Sequence, residues 1–250
     1  IRFERMAMLE GNWKERTTLL LGGNAVEQLA HSRVMIAGVG GVGAYAAEMI
    51  CRAGVGHITI VDADCVALSN INRQLPAMHS TVGRKKVELV AARLKDINPE
   101  LDVNAQCLFL DEETIPALLR EGKFDFIVDA IDTITPKVTL ISEAIRRRIR
   151  IVSSMGAGAK TDITKIRFAN VWDTYNCGLS RAVRQSLKKR GLSRRKLPVV
   201  FSEEVPDMNA VKAVEGERNK KTTAGTVSYM PATFGCFLAE YVITHLTADK

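Results

Sequence analysis

Val34-Met-Ile-Ala-Gly-Val-Gly-Gly-Val-Gly43 is the stretch whose reading decides the fold of this chain. The apolar run Val34–Ala37 has the unbroken character of a strand buried on both faces. Gly38, Gly40, Gly41 and Gly43 then turn the backbone into the helical stretch that starts at Ala44, and they let a polyphosphate approach main-chain N–H groups at a helix N-terminus. The motif points to a nucleotide without saying which one. Taken alone it also fits a purely structural turn.

Working outward, the helix Ala44–Arg52 ends at Ala53-Gly54-Val55-Gly56, a C-cap signal. His57–Asp62 follows as a second buried strand. Asp62 stands about 20 residues beyond the glycines, where a carboxylate accepts hydrogen bonds from ribose hydroxyls. Further on come a helix over Lys85–Ile97 stopped by Asn98-Pro99, a strand Val103–Leu108, a helix Glu112–Arg120, a strand Phe124–Asp129, a helix Pro136–Arg148 and a strand Arg150–Ser154. This alternation predicts an α/β fold, a doubly wound Rossmann-like and mostly parallel sheet with right-handed crossovers.

After Lys160 the rhythm changes, so residues 1–158 read as a nucleotide-binding core with an N-terminal helix and residues 159–250 as a C-terminal lobe. The lobe reads as a strand Ile166–Val171, a basic helix Leu179–Arg190, an apolar Val199–Phe201, a mobile polar loop Pro206–Thr223, and a buried strand with a terminal helix over Ala224–Ile243. Gly225, Pro231, Gly235 and Glu240 interrupt that last apolar run, and roughly 20 uninterrupted apolar residues are wanted for a span. Stable membrane insertion is therefore not expected, while weak membrane association stays open.

With 250 residues, 46% hydrophobic and 25% charged, the composition is that of a soluble globular chain. A net charge of +7 favours an anionic partner. Cys51, Cys65, Cys107, Cys177 and Cys236 are odd in number and form no C-x-x-C pair, which argues against a disulfide framework or a four-cysteine zinc site and suits a reducing, cytoplasmic setting. The opening residues carry charges where a signal peptide needs an apolar core.

Three clusters bear on which nucleotide is used. Ser69-Asn70-x-x-Arg73-Gln74 follows Asp62, and Lys86 follows Arg73 after thirteen residues. Two cations beside a polyphosphate would neutralise charge on a departing pyrophosphate, which hydride transfer does not require. Asp129-x-x-Asp132 closes a central strand, with Asp132 suited to magnesium and Asp129 to a structural role. Arg2 and Arg5 share one helical face and could reach into a neighbouring subunit's site.

As a set, R-x-x-R, GVGGVG, VDAD, SNINRQ, VG-x-x-K and DAID resemble the adenylating enzymes of the ubiquitin-activating superfamily, the group of molybdopterin and thiamine sulfur-carrier activators. The resemblance implies ATP with Mg2+, an acyl-adenylate product and a homodimer. It implies that Gly38, Gly40, Gly41 and Gly43 form the phosphate turn, with Gly40 and Gly41 facing the phosphates. Asp62 would take the ribose, with Asp64 beside it. Ser69, Asn70, Arg73 and Lys86 would bind the triphosphate, Asp132 the metal, and Arg5 would act across the dimer. The chain departs from the sulfur-carrier activators in having no paired C-x-x-C site, and Cys177, the one candidate nucleophile, reads as structural or incidental, which disfavours a transthiolating enzyme. RAVRQSLKKRGL, VVFSEE and ATFG resemble a tRNA-modifying branch of the superfamily instead. That implies tRNA as partner, held by Arg181, Arg184, Lys188, Lys189, Arg194 and Arg195, and a link to a cysteine desulfurase and sulfur-acceptor system. In that branch ATP activates the threonyl carboxylate of a modified adenosine beside the anticodon, and the carbamoyl group then closes the ring.

Overall fold

The computed structural model describes residues 12–193, 195–213 and 222–248. Two helices, α1 (Glu15–Leu21) and α2 (Gly23–His31), precede β1 (Arg33–Ala37), α3 (Gly43–Ala53) and β2 (His57–Val61). The chain continues through α4 (Lys86–Ile97), β3 (Asp102–Gln106), α5 (Thr114–Glu121), β4 (Phe126–Asp129), α6 (Ile134–Arg147) and β5 (Arg150–Ser154). Up to β5 the β-α alternation is the one read from the sequence, with no element end moved by more than two residues. Residues 15–31 form two helices that the sequence reading did not separate. The segment holding Arg2 and Arg5, for which a helix was expected, lies outside the described residues.

The sheet has the order β3-β2-β1-β4-β5-β7-β6, completed by β6 (Ile166–Asn170) and β7 (Pro198–Ser202). Every pairing is parallel except that of β6 with β7, so the edge strand β6 runs against the rest. Strands from both sides of residue 158 therefore share one sheet. Strand order reverses between β2-β1 and β4-β5, and in open α/β sheets ligands bind outside the C-terminal ends of the strands at that switch.

The polar stretch read as a mobile loop instead contains a short antiparallel ribbon, β8 (Val211–Ala213) with β9 (Thr222–Ala224). The β-branched Val211, Thr222 and Thr223 favour the extended form. Ala159 N–H donates to the Gly225 carbonyl at 2.8 Å, and this ties the ribbon to the core. Residues 214–221 lie outside the described residues. The expected buried strand near Ala224 is likewise corrected: β9 is exposed, and the apolar run forms one helix, α8 (Tyr229–Thr247), after the basic α7 (Gly178–Lys189). Among the described residues no helix is long and apolar enough to cross a membrane.

Small side chains set how α8 meets α3. A Cβ at Gly235 would stand 2.5 Å from the Val42 carbonyl oxygen and 2.7 Å from the Tyr45 Cβ, so glycine lets α8 settle onto the first turn of α3. Ala46 and Ala47 of α3 and Phe234 and Leu238 of α8 are buried in the same cluster. Along α3, Glu48 is 5% exposed and ion-paired to Arg52 at 2.8 Å and to Arg93 of α4 at 2.5 Å. Burial pushes the Glu48 carboxyl up, but the hydrogen bonds and charges of Arg93 and Arg52 outweigh it and hold its pKa below the ordinary value.

Among the described residues one ion pair is wholly buried. Lys137 Nζ lies 2.7 Å from Asp129 Oδ2, with both side chains 0% exposed. The Ser153 hydroxyl donates to the same oxygen at 2.5 Å, and the Ile131 N–H donates to Oδ1 at 3.1 Å. Asp129 is thereby structural, as its place on the strand suggested. Lys137→Met leaves that carboxylate buried without its countercharge and should cost about 3–5 kcal/mol in urea unfolding, whereas the double substitution Asp129→Leu with Lys137→Met should cost less. An equal loss for both would contradict the pair's role.

Candidate nucleotide site

The glycine turn owes its shape to two close approaches. Gly38 has φ +85°, and a Cβ on it would stand 3.0 Å from the Ala130 carbonyl oxygen. A Cβ on Gly43 would stand 1.8 Å from the Gly38 carbonyl oxygen, which no side chain tolerates. Gly38 N–H donates to the Val61 carbonyl at 2.8 Å, so the turn starts against the end of β2. Gly40 and Gly41 are different: a Cβ on Gly40 would meet the Gln74 amide at 3.6 Å, and one on Gly41 would meet Pro231 at 3.3 Å and Arg73 Cγ at 3.5 Å. Their surroundings are side chains from distant parts of the sequence.

Asp62 leaves the end of β2 beside this turn. Its carboxylate accepts from the Val39 N–H and from the Asp64 N–H, each at 2.8 Å. Burial pushes the Asp62 carboxyl above its usual value, with the Lys86 charge and the two N–H donors pulling it back. Lys86, 5% exposed at the start of α4, reaches Asp64 Oδ2 at 2.8 Å. Asp62, Asp64 and Lys86 thus form one cluster joined to the turn through Val39.

The loop from Ser69 to Gln74 packs against the same turn at Gly40 and Gly41. Asn70 Oδ1 accepts from the Ala67 N–H at 3.1 Å and caps a short 3-10 turn. The Arg73 guanidinium donates to the Ser69 carbonyl and to Asn72 Oδ1, each at 2.9 Å, and Asn72 donates to the Thr226 carbonyl at 3.0 Å. The bond to Thr226 ties this loop to the chain just before α8. Asp132 is exposed, three residues beyond the end of β4. The arrangement has the parts a nucleoside polyphosphate needs: an N-terminal helix turn, two cations, and a carboxylate at the end of β2.

Gln74 was read with the Ser69–Arg73 cluster without a role of its own, and Pro231 and Thr226 were not read from the sequence as belonging to this site. The signal for α8 was Gly235 in an apolar run, since an interior helical glycine marks a close crossing. Arg5 and Arg194 fall outside the described residues.

The basic helix needs one correction. Arg184 donates to the Thr174 carbonyl at 2.9 Å, to the Val171 carbonyl at 3.2 Å and to the Thr174 hydroxyl. Its head is turned into the chain, because a carbonyl-lined turn lies under that face of α7, and it is not part of a solvent-facing stripe. Arg181, Lys188, Lys189 and Arg195 are exposed. Cys177 serves as the N-cap of α7, its Sγ accepting from the Ser180 N–H at 3.4 Å.

The chain belongs to the ThiF family, whose profile matches residues 15–250. Within that group it is 39% identical over 241 residues to the tRNA threonylcarbamoyladenosine dehydratase of Bacillus subtilis strain 168, with 94% of each chain covered. Its fold matches the crystal structure of Escherichia coli tRNA N6-threonylcarbamoyladenosine dehydratase in complex with ATP, with a TM-score of 0.85 at 31% identity, covering 94% of this chain and 95% of that one. The molybdopterin-synthase adenylyltransferase of Escherichia coli is 34% identical over 155 residues, 62% of this chain and 61% of its own length.

Arg184→Ala should lower stability by about 1–3 kcal/mol in denaturant titration, because it leaves the carbonyls of Val171 and Thr174 short of a donor. Arg181→Ala should stay within about 0.5 kcal/mol of the parent. Equal effects would contradict the division of the stripe.

Proposed function

We propose that this chain is an ATP-dependent dehydratase that cyclises N6-threonylcarbamoyladenosine next to the tRNA anticodon. The observation that carries the reading is similarity over 94% of both chains to an enzyme of that name, set against 62% of this chain for the molybdopterin-synthase adenylyltransferase. The glycine turn, Asp62 and the Arg73 and Lys86 cations supply the local chemistry.

In this reaction an oxygen of the threonyl carboxylate attacks the α-phosphorus, the bond to the β-phosphate breaks, and pyrophosphate leaves. The carbamoyl group then closes onto the activated carbonyl carbon. AMP departs with the carboxylate oxygen, and a proton is lost. Ring closure is intramolecular, so proximity replaces a protein nucleophile. This agrees with Cys177 serving as a helix cap.

The Gly40 and Gly41 main chain would face the phosphates and Asp62 the ribose. Lys86, Arg73, Ser69 and Asn70 would hold the triphosphate, with Asp64 orienting Lys86. Asp132 would carry the metal, and Mg2+ there would neutralise the departing pyrophosphate. Arg5 would complete the neighbouring site in a homodimer. Arg181, Lys188, Lys189, Arg194 and Arg195 would meet the tRNA backbone, and a tRNA substrate implies a cytoplasmic enzyme.

Incubation with ATP and threonylcarbamoylated tRNA should release AMP and yield a nucleoside lighter by one water in mass spectrometry. An unchanged nucleoside from a preparation that binds ATP would contradict the assignment. Asp132→Ala should abolish AMP release with the melting temperature unaltered, and an unaltered rate would remove Asp132 from the metal site. Arg5→Ala should also be inactive, and mixing it with Asp132→Ala should restore part of the activity in heterodimers. No recovery would contradict supply of Arg5 across the dimer.

A further inference from the structure

Tyr229 opens α8 and is 45% exposed, although the groups it touches are firmly held. Its hydroxyl donates to the Thr161 carbonyl at 3.1 Å, and its own carbonyl accepts from the Thr233 hydroxyl at 2.8 Å. The seat of the phenol is fixed in turn. The Glu204 carboxylate accepts from the Thr161 N–H at 3.0 Å and from the Asp162 N–H at 2.8 Å, and the nearly buried Lys160 ammonium donates to the Ser202 carbonyl at 2.8 Å. The ring is therefore offered to solvent on a rigid mount.

Position gives that ring a use. Met230 is buried and Pro231 packs against Gly41, so Tyr229 stands two residues, about 5 Å of helix, from the contact with the glycine turn. On its other side is Thr161, in the segment that leaves the C-terminal end of β5. The substrate of the proposed reaction has a matching length: the chain of bonds from the threonyl carboxylate carbon to the adenine ring spans roughly 6 Å when extended. With the carboxylate at the α-phosphorus, the base lies about that far beyond the phosphates. A base brought there has left its stack in the anticodon loop, and unstacked bases are recovered on aromatic faces. A tyrosine makes such a contact at small entropic cost, because two torsions fix its ring. For the fold alone the ring gains little, since nearly half of it stays in water.

We infer that Tyr229 is a substrate-binding residue whose ring stacks on the modified adenine while the threonyl carboxylate meets the α-phosphorus of ATP. This rests on the tRNA-cyclase reading above. The ring sets how far the base stands from the glycine turn and adds no charge, so it acts on the tRNA and not on ATP. Any side chain with a flat aromatic face serves, and an aliphatic one of similar size does not.

The test uses the whole chain with ATP and threonylcarbamoylated tRNA, and compares the parent with Tyr229→Leu, Tyr229→Phe and Tyr229→Trp. Tyr229→Leu should raise the KM for the tRNA on the order of tenfold. Its Kd for ATP should stay within about twofold of the parent and its Tm within about 2 °C, as for a surface substitution. Tyr229→Phe and Tyr229→Trp should keep the KM within about threefold, because the stack survives. An unchanged KM in Tyr229→Leu would overturn the role of Tyr229 while leaving the cyclase reading in place. Equal losses in Tyr229→Leu and Tyr229→Phe would overturn it by assigning the effect to the hydrogen bond with Thr161. Weakened ATP binding in Tyr229→Leu would overturn it by making Tyr229 a support of the nucleotide site. A parent that binds ATP and cyclises nothing would overturn both.

Discussion

The closest backbone contact in the site is the one on which the rest depends. Gly43 passes so near the Gly38 carbonyl that a Cβ would come within 1.8 Å of its oxygen. That contact sets the direction in which α3 leaves the turn. Gly38 is held in turn by the end of β2 through the Val61 carbonyl, and Val39 by the Asp62 carboxylate. The glycine turn and the Asp62 carboxylate are therefore parts of one hydrogen-bonded unit. On the far side, Gly235 lets α8 close onto the same first turn of α3 and brings Pro231 against Gly41. Residues almost two hundred positions apart thus enclose one short stretch of backbone.

Charge in this unit is balanced by geometry. Asp62 is buried enough for its carboxyl to rise above the usual value, and two N–H donors and Lys86 counter that rise. Lys86 is itself nearly buried and anchored on Asp64. Asp129 lies at the end of β4, beside β1, and is paired with Lys137 inside the core, whereas Asp132, three residues on, is exposed. The same sequence motif therefore holds one buried, paired acid and one exposed acid.

The sheet was legible because buried parallel strands write themselves as unbroken apolar runs, as in Val34–Ala37 and Phe126–Val128. Helix α1 was not: none of its residues is buried, and Leu19 and Leu20 are more exposed than Thr17 and Thr18 beside them, so no buried apolar stripe marks it. Spacing placed Arg184 on a basic face, but it could not tell that the carbonyls of Val171 and Thr174 lie under that position. Asp62, Arg73 and Lys86 could be picked out because their residue types suit a nucleotide at those spacings. Pro231 could not, because its place at the site comes from tertiary packing against Gly41.

The central claim is that the carboxylate of the substrate becomes an adenylate. It is tested most directly by supplying the tRNA with heavy oxygen in its threonyl carboxylate and following the label. Attack on the α-phosphorus requires one labelled oxygen in the released AMP and none in pyrophosphate. Label appearing in inorganic phosphate or pyrophosphate, or unlabelled AMP alongside cyclised nucleoside, would contradict it.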